Sequence, residues 1–166
     1  LVCQCSCNMI LSECSHQSCP FALPERKQIL ASIDAGKSDE EIVAIIVRAA
    51  TLRSRYELRG WTCSTLYGLI AATGLRINEA LQLDDNEVDL DAGVITVRRG
   101  KNGRARFVPV ASSVVDRLRI YRHERVRLLG TSAGAFFRND HGRRLSSGNA
   151  QYNFAVVSQA IGLREP

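Results

Sequence analysis

After residue 50 this 166-residue chain has almost no lysine: Lys101 stands alone against 17 arginines. Cysteine is as unevenly placed, with five of six in the first 19 residues and only Cys63 beyond them. No run of about 18 apolar residues is present, which excludes a membrane-spanning helix on sequence grounds. There is no signal-peptide pattern, no internal repeat and no low-complexity tract. The chain starts at Leu1 and not at Met, so a processed N-terminus or a fragment is expected. An apolar fraction of 45% excludes a disordered chain. The length suits one ordinary domain or two small ones.

What is present is charge, and it is asymmetric. Residues 1–50 carry 4 basic and 6 acidic side chains, while residues 51–166 carry 18 and 11, within a formal total of +5. An arginine-rich basic half favours an anionic partner, nucleic acid first, over a surface that is merely soluble.

The basic half is organised around Ala71-Ala72-Thr73-Gly74-Leu75-Arg76-Ile77-Asn78-Glu79-Ala80-Leu81. An apolar helix over Ser64–Thr73 is predicted to end at Gly74, which suits the left-handed closing position. A second helix over Arg76–Leu83 follows at once, with Ile77, Ala80 and Leu81 turned inward. Arg76 then stands in its first turn beside open helix N–H groups, a good phosphate site. Glu79 is one turn on and can direct that guanidinium. The same residues also read as an ordinary helix corner with a surface ion pair.

Downstream, Asp84-Asp85-Asn86-Glu87 reads as an acidic turn. Val94–Arg98 is a β-branched strand, Lys101-Asn102-Gly103-Arg104 a hairpin turn, and Ala105–Val110 the return strand, with Pro109 favouring a sheet edge. Ser112 or Ser113 caps a long helix with Val114, Leu118, Tyr121 and Leu128 inward. Ala135-Phe136-Phe137 is a short buried strand. Ser146 or Ser147 caps a last helix with apolar Tyr152, Phe154, Val157 and Ile161, ending at Gly162.

The start of the chain obeys different rules. Cys3, Cys5, Cys7, Cys14 and Cys19 are too crowded all to form disulfides with each other, because C-x-C rings are strained. Redox chemistry at exposed thiols, or zinc held by four thiolates or by three with His16, suits them better. Pro24 starts a helix closing at Gly36, and Ser38 with Glu41 forms a capping box for Glu41–Val47. The two make a short helical hairpin.

Two resemblances follow. Leu1-Val2-Cys3-Gln4, Cys5-Ser6-Cys7-Asn8, Cys14-Ser15-His16 and Ala35-Gly36-Lys37-Ser38-Asp39-Glu40-Glu41-Ile42 resemble the CcmH family of cytochrome c maturation proteins. That resemblance implies a periplasmic, membrane-associated thiol module acting on apocytochrome c with the maturation machinery. It also implies a haem-pathway link. The family's two-residue spacing between cysteines is replaced here by C-x-C-x-C.

Residues 53–166 resemble the catalytic domain of tyrosine recombinases, the phage integrase family. Four blocks carry the likeness in order: Thr73–Leu81, Val88–Arg98, Gly100–Val110, and Phe136-Phe137 with Gly142-Arg143-Arg144-Leu145-Ser146. The resemblance implies DNA cleavage by a tyrosine, with cations stabilising the charged phosphorane. Arg76 matches the first family arginine, Glu79 the acid after it, and Lys101 the hairpin lysine that protonates the leaving oxygen. No cofactor is implied. Arg98, Arg99, Arg104, Arg106, Arg143 and Arg144 are DNA-contact candidates. The family's His-x-x-Arg and nucleophilic tyrosine find no match: His141-Gly142-Arg143-Arg144 stands in the wrong place, and Tyr56, Tyr67, Tyr121 and Tyr152 come too early.

The expected fold is mixed α+β and mostly helical: a short helical hairpin, then the first part of a recombinase catalytic fold with a small antiparallel sheet. The expected domains are a cysteine-rich segment over 1–47, a junction over 48–55 and a truncated catalytic domain over 56–166. The leading functional expectation is an incomplete tyrosine recombinase that acts on duplex DNA in the cytoplasm, with other recombinase protomers as partners. The alternatives are the cytochrome-maturation module and a DNA-binding remnant without chemistry.

Overall fold

The computed structural model describes residues 39–54, 57–98, 105–131 and 133–163. Residues Val43–Pro166 form one unit, and Asp39–Ile42 are the first turn of the helix that leads into it. Cys3, Cys5, Cys7, Cys14, His16, Cys19, Arg99, Lys101 and Arg104 lie outside the described residues, as does the helix expected after Pro24.

Helix α1 spans Asp39–Ala50 with three acids in its first turn and Arg48 in its last, each complementing the helix dipole. It runs three residues past the expected Val47, because Ile45 and Ala49 are buried in the core of the following unit. Helix α2, Leu58–Thr73, is the central element. It begins six residues before the expected start at Ser64, because Leu58 is fully buried. Gly60 makes this start possible: a Cβ there would lie 2.6 Å from the Ala50 carbonyl oxygen, so only glycine lets α1's end approach this closely. Gly74 closes α2 at φ 66° with its N–H on the Ile70 carbonyl, as expected.

Helix α3 is short, Ile77–Gln82, with Arg76 at its N-cap. A 3-10 turn at Asp85–Glu87 leads into β1, Val88–Asp89, then β2, Val94–Val97, and β3, Arg106–Pro109. The sheet order is β1-β2-β3, antiparallel throughout, with Ile95 opposite Val108 and Val97 opposite Arg106. Ile95 and Val97 turn into the core, and Pro109 lies on an edge strand, where its missing N–H costs no ladder bond.

Helix α4, Ser112–Leu129, packs along α2, and α5, Ser147–Ala160, packs against α2 and α3. The inward stripe of α4 is Val115, Leu118, Tyr121 and Arg125. Leu128, expected inward, is only half-buried, and an arginine takes the core position beside it. Phe136 and Phe137 are buried as expected and Ala135 is half-buried, but the stretch is flanked by two isolated bridges, Asp84 to Ala135 and Arg138 to Arg144, and does not form a strand. Phe136, Phe137 and Tyr121 pack ring on ring at 5.1–5.6 Å and are fully buried.

The last helix differs most from expectation. Tyr152 and Phe154 are 64% and 38% exposed, and the buried stripe is Ala150, Asn153, Val157 and Ser158. Asn153 can lie inside because its amide is satisfied there: its Oδ1 accepts from Arg59 Nε at 2.9 Å and its Nδ2 donates to Cys63 Sγ at 3.2 Å. Ser146 is the N-cap, accepting from the Asn149 N–H. The observed class is mostly helical with a small antiparallel sheet, as the sequence implies.

Candidate functional site

The corner after Gly74 is built by two sharp backbone events. The left-handed Gly74 ends α2, and extended Arg76 at φ −66° and ψ 144° starts α3. Leu75 between them is 3% exposed and pins the bend into the core. Arg76 is left with a third of its side chain exposed.

Glu79 is the electrostatic centre of the corner and only 8% exposed. Its Oε2 accepts the Arg76 backbone N–H at 3.0 Å. That bond caps the helix start from the inside and uses one of the N–H groups the sequence left open for phosphate. The expected partnership between Glu79 and the Arg76 guanidinium is loose, at 4.0 Å. The close partner is Arg106, from the start of β3: its Nη1 and Nη2 donate to Oε1 and Oε2, each at 2.8 Å. This two-pronged geometry is one that guanidinium and carboxylate match in shape. Burial pushes the Glu79 carboxyl up, but the Arg106 fork, the Arg76 N–H and both arginine charges together hold it below its ordinary value.

Arg106 and Arg144, expected on DNA, are therefore both engaged within the protein. Arg144 Nη1 donates to the Leu81 and Leu83 carbonyls at 2.8 and 3.1 Å, and its Nη2 pairs with Asp84. It satisfies the orphan carbonyls at the end of α3. Arg98 and Arg143 do reach the surface. Arg98 is 62% exposed in its side chain, with Nε 3.2 Å from Glu87, and Arg143 is exposed in the loop before Ser146. A cleft of about 280 Å³ opens beside Glu79, lined by Asn78, Gln82, Glu87 and Arg98 among others.

The acidic turn does more than the sequence indicated. Asp84 takes Arg144 and Asp85 takes Arg125. Glu87 takes Arg98 and, through Oε2, the Asp84 N–H. Arg125 is wholly buried, and its Nη1 donates to the Phe136 carbonyl at 2.6 Å. Arg122 adds bonds to the Asp85 and Val88 carbonyls. The signal for Arg125 was available: it stands four residues after Tyr121 and seven after Leu118, on the stripe the periodicity marks as core. Arg106 offered no such signal, because 27 residues separate it from Glu79.

Two of the four tyrosines are structural. Tyr67 donates to the Ala150 carbonyl at 2.8 Å, and Tyr121 shares a hydrogen bond with Thr62 at 3.2 Å. Burial raises both phenols well above their ordinary value. Cys63 is buried as expected, and burial pushes its thiol up. Among the described residues, no three His, Cys, Asp or Glu side chains gather as metal ligands. No helix among them is long and apolar enough to cross a membrane.

A helix-flanked three-stranded sheet beside an arginine-bearing corner defines the class, and the comparisons agree with it. This chain belongs to the phage integrase family, whose model matches residues 39–166. A putative integrase/recombinase of Sinorhizobium fredii, y4rE, is 38% identical over 127 residues, covering 76% of this chain and 41% of the relative. Tyrosine recombinase XerD of Staphylococcus epidermidis is 34% identical over 110 residues, covering 64% of this chain and 35% of the relative. The crystal structure of XerA recombinase superposes with a TM-score of 0.63 at 23% identity, over 77% of this chain and 43% of that one. XerH site-specific recombinase, solved bound to palindromic difH substrate, superposes at 0.60 and 24% identity, over 78% of this chain and 36% of that one. These two likenesses speak for the fold. The chain spans about two fifths of the length of the y4rE relative. The family match starts at residue 39 and does not take in the cysteine-rich stretch.

Proposed function

We propose that this chain supplies the phosphate-handling part of a tyrosine recombinase that binds duplex DNA and takes part in site-specific recombination and DNA integration, in the cytoplasm and alongside other recombinase protomers. The observation that carries this reading is the Gly74 corner. It presents a half-exposed Arg76 whose backbone is fixed by a buried carboxylate. A guanidinium held this way can stabilise the extra charge of a phosphorane without reorganising first. Lys101, between β2 and β3 in the sequence, is the proton donor to the leaving 5′-oxygen. The reaction conserves the phosphodiester bond energy in a protein–DNA ester, so it needs no cofactor.

The nucleophile is the part this reading does not find among the tyrosines described. Tyr67 and Tyr121 are buried and hydrogen-bonded, and Tyr152 lies on the outer face of α5. The chain alone is therefore expected to bind DNA weakly, with an affinity that falls steeply as salt rises, and not to cleave it.

The decisive experiment fuses the C-terminal segment of a related recombinase to the full chain. The readout is covalent adduct on a nicked suicide substrate. Adduct should form, and Arg76→Ala should reduce it by roughly 10²–10³-fold, the scale for one lost oxyanion-type contact. Lys101→Ala should slow cleavage and be rescued by a 5′-bridging thiol leaving group. No adduct from the fused wild-type chain, or rescue of Arg76→Ala in place of Lys101→Ala, would overturn the assignment.

A further inference from the structure

Helix α4 carries five arginines, and four of them meet a carboxylate. Arg119 meets Asp91 and Asp116, Arg122 and Arg125 share Asp85, and Arg127 takes Glu124. Arg117 meets none among the described residues. Its guanidinium carbon lies 4.9 Å from the centroid of the Trp61 ring, and its Nη2 donates to Ser64 Oγ at 2.9 Å. Both contacts hold the cation in place and neither neutralises it. A half-buried charge without a counter-charge is costly, and its Nε and Nη1 donors stay open to a partner. The stripe of α4 that carries Arg117 continues through Ile120, 47% exposed, to Glu124, three and seven residues on. Glu124 Oε2 is taken by Arg127, whereas Oε1 meets only the exposed His123 ring, at 3.2 Å.

We propose that this stripe, with the edge of Trp61 beside it, is a self-complementary surface on which a second copy of this chain docks, Arg117 of each copy pairing with Glu124 of the other. This goes beyond the reading above and needs no DNA. Seven residues of helix set the guanidinium and the carboxylate about 10 Å apart along α4, and Ile120 stands near the midpoint. A second α4, antiparallel about a two-fold axis at Ile120, brings cation onto anion at both ends, with the two isoleucines between them. Such a contact is isologous: the residue that reaches across is itself reached. Tryptophan and arginine around an aliphatic centre are also what the fully buried part of an interface favours. The local charge is mixed and does not suit a nucleic-acid backbone, because Asp116 and Glu124 lie on the same helix and would repel phosphate. A carboxylate beside an aliphatic side chain suits Arg117, and this chain presents one on that helix.

The test is sedimentation equilibrium of the full chain without DNA. Wild type should show a concentration-dependent balance of monomer and dimer. Arg117→Glu sets like charges against each other at both ends of the contact and should raise the dimer dissociation constant about 10²-fold; Glu124→Arg should do the same. An equal mixture of these two variants should dimerise like wild type, because each mixed pair regains opposite charges at both ends. Ile120→Asp, at an exposed position, should abolish the dimer while leaving the core intact, and it decides the matter where Arg117→Glu does not fold. Trp61, the single tryptophan of the chain, should become less accessible to acrylamide quenching as wild type dimerises. Wild type that stays monomeric up to about 1 mM, a dimer that survives Arg117→Glu or Ile120→Asp, or a mixture of the two charge variants that stays monomeric would each overturn the proposal. So would a loss of duplex DNA affinity in Arg117→Glu with its sedimentation unchanged, since that would give the arginine to phosphate.

Discussion

The acidic turn at Asp84–Glu87 and the corner at Gly74–Glu79 use the same pair of residue types to opposite ends. At the turn, arginine is building material. Arg125 is fully buried and ends on Asp85 and on main-chain carbonyls, and Arg144 joins Asp84 to the end of α3. At the corner the carboxylate is the buried partner, and both arginines keep about a third of their side chains in water. A wholly buried guanidinium such as Arg125 cannot also meet a ligand, whereas one that leans on a buried acid with a third of its side chain in water can.

The comparison breaks most visibly at Arg125. Arg125→Leu keeps much of the volume but leaves the Asp85 carboxylate without its buried partner, so unfolding free energy should fall by about 3–5 kcal/mol in chemical denaturation. Arg98→Ala, which removes a largely exposed arginine from the same turn while Glu87 keeps the Asp84 N–H, should change it by less than about 1 kcal/mol. Equal losses at both positions would mean that burial does not separate the two uses. Arg144 should fall between. Arg144→Ala frees the Leu81 and Leu83 carbonyls and Asp84, at a cost of about 1–3 kcal/mol.

The smallest effect belongs to the corner and depends on pH. The folded Glu79 carboxyl titrates below its ordinary value of 4.5 while its arginine partners stay charged. Its contribution to stability is fully present above about pH 4.5 and is lost as pH falls through the lowered folded value. Wild type should exceed Glu79→Gln in melting temperature at pH 7, and the gap should narrow as the pH falls below about 4.5. A gap that does not change on acidification would mean that Glu79 contributes through shape and not through charge.

These two regions also mark how far the sequence could be read. The corner was legible because its signals are local: a glycine where a helix must close, an arginine two residues on, and an acid one turn later. The hairpin was legible for the same reason, through β-branched alternation and Pro109 at an edge. Long-range partners were not. Nothing in the spacing ties Arg106 to Glu79 or Arg144 to Asp84, and the acidic turn read only as a turn because its cations arrive from other elements. Helix α5 misled for a related reason. Tyr152 and Phe154 look like core, but Asn153 holds the inward position because Arg59 and Cys63, both on α2, satisfy it. Polar satisfaction from a distant helix overrode hydrophobicity there. The early start of α2 depends on Gly60 and on the carbonyl of Ala50 beside it, which only the assembled pair of helices reveals.

The turn also dictates an order of assembly. Asp85 meets Arg125 across 40 residues, and Asp84 meets Arg144 across 60. A chain emerging from the ribosome makes α1, α2 and α3 first. Both carboxylates stay in water until the chain through α4 is out, and Asp84 waits longer still. Loop closure is what those contacts must repay, so the turn is sealed after the helices that precede it and before α5 docks on α2 through Asn153 and Ala150. A cut between β3 and α4 would leave both carboxylates on one piece of the chain and both arginines on the other.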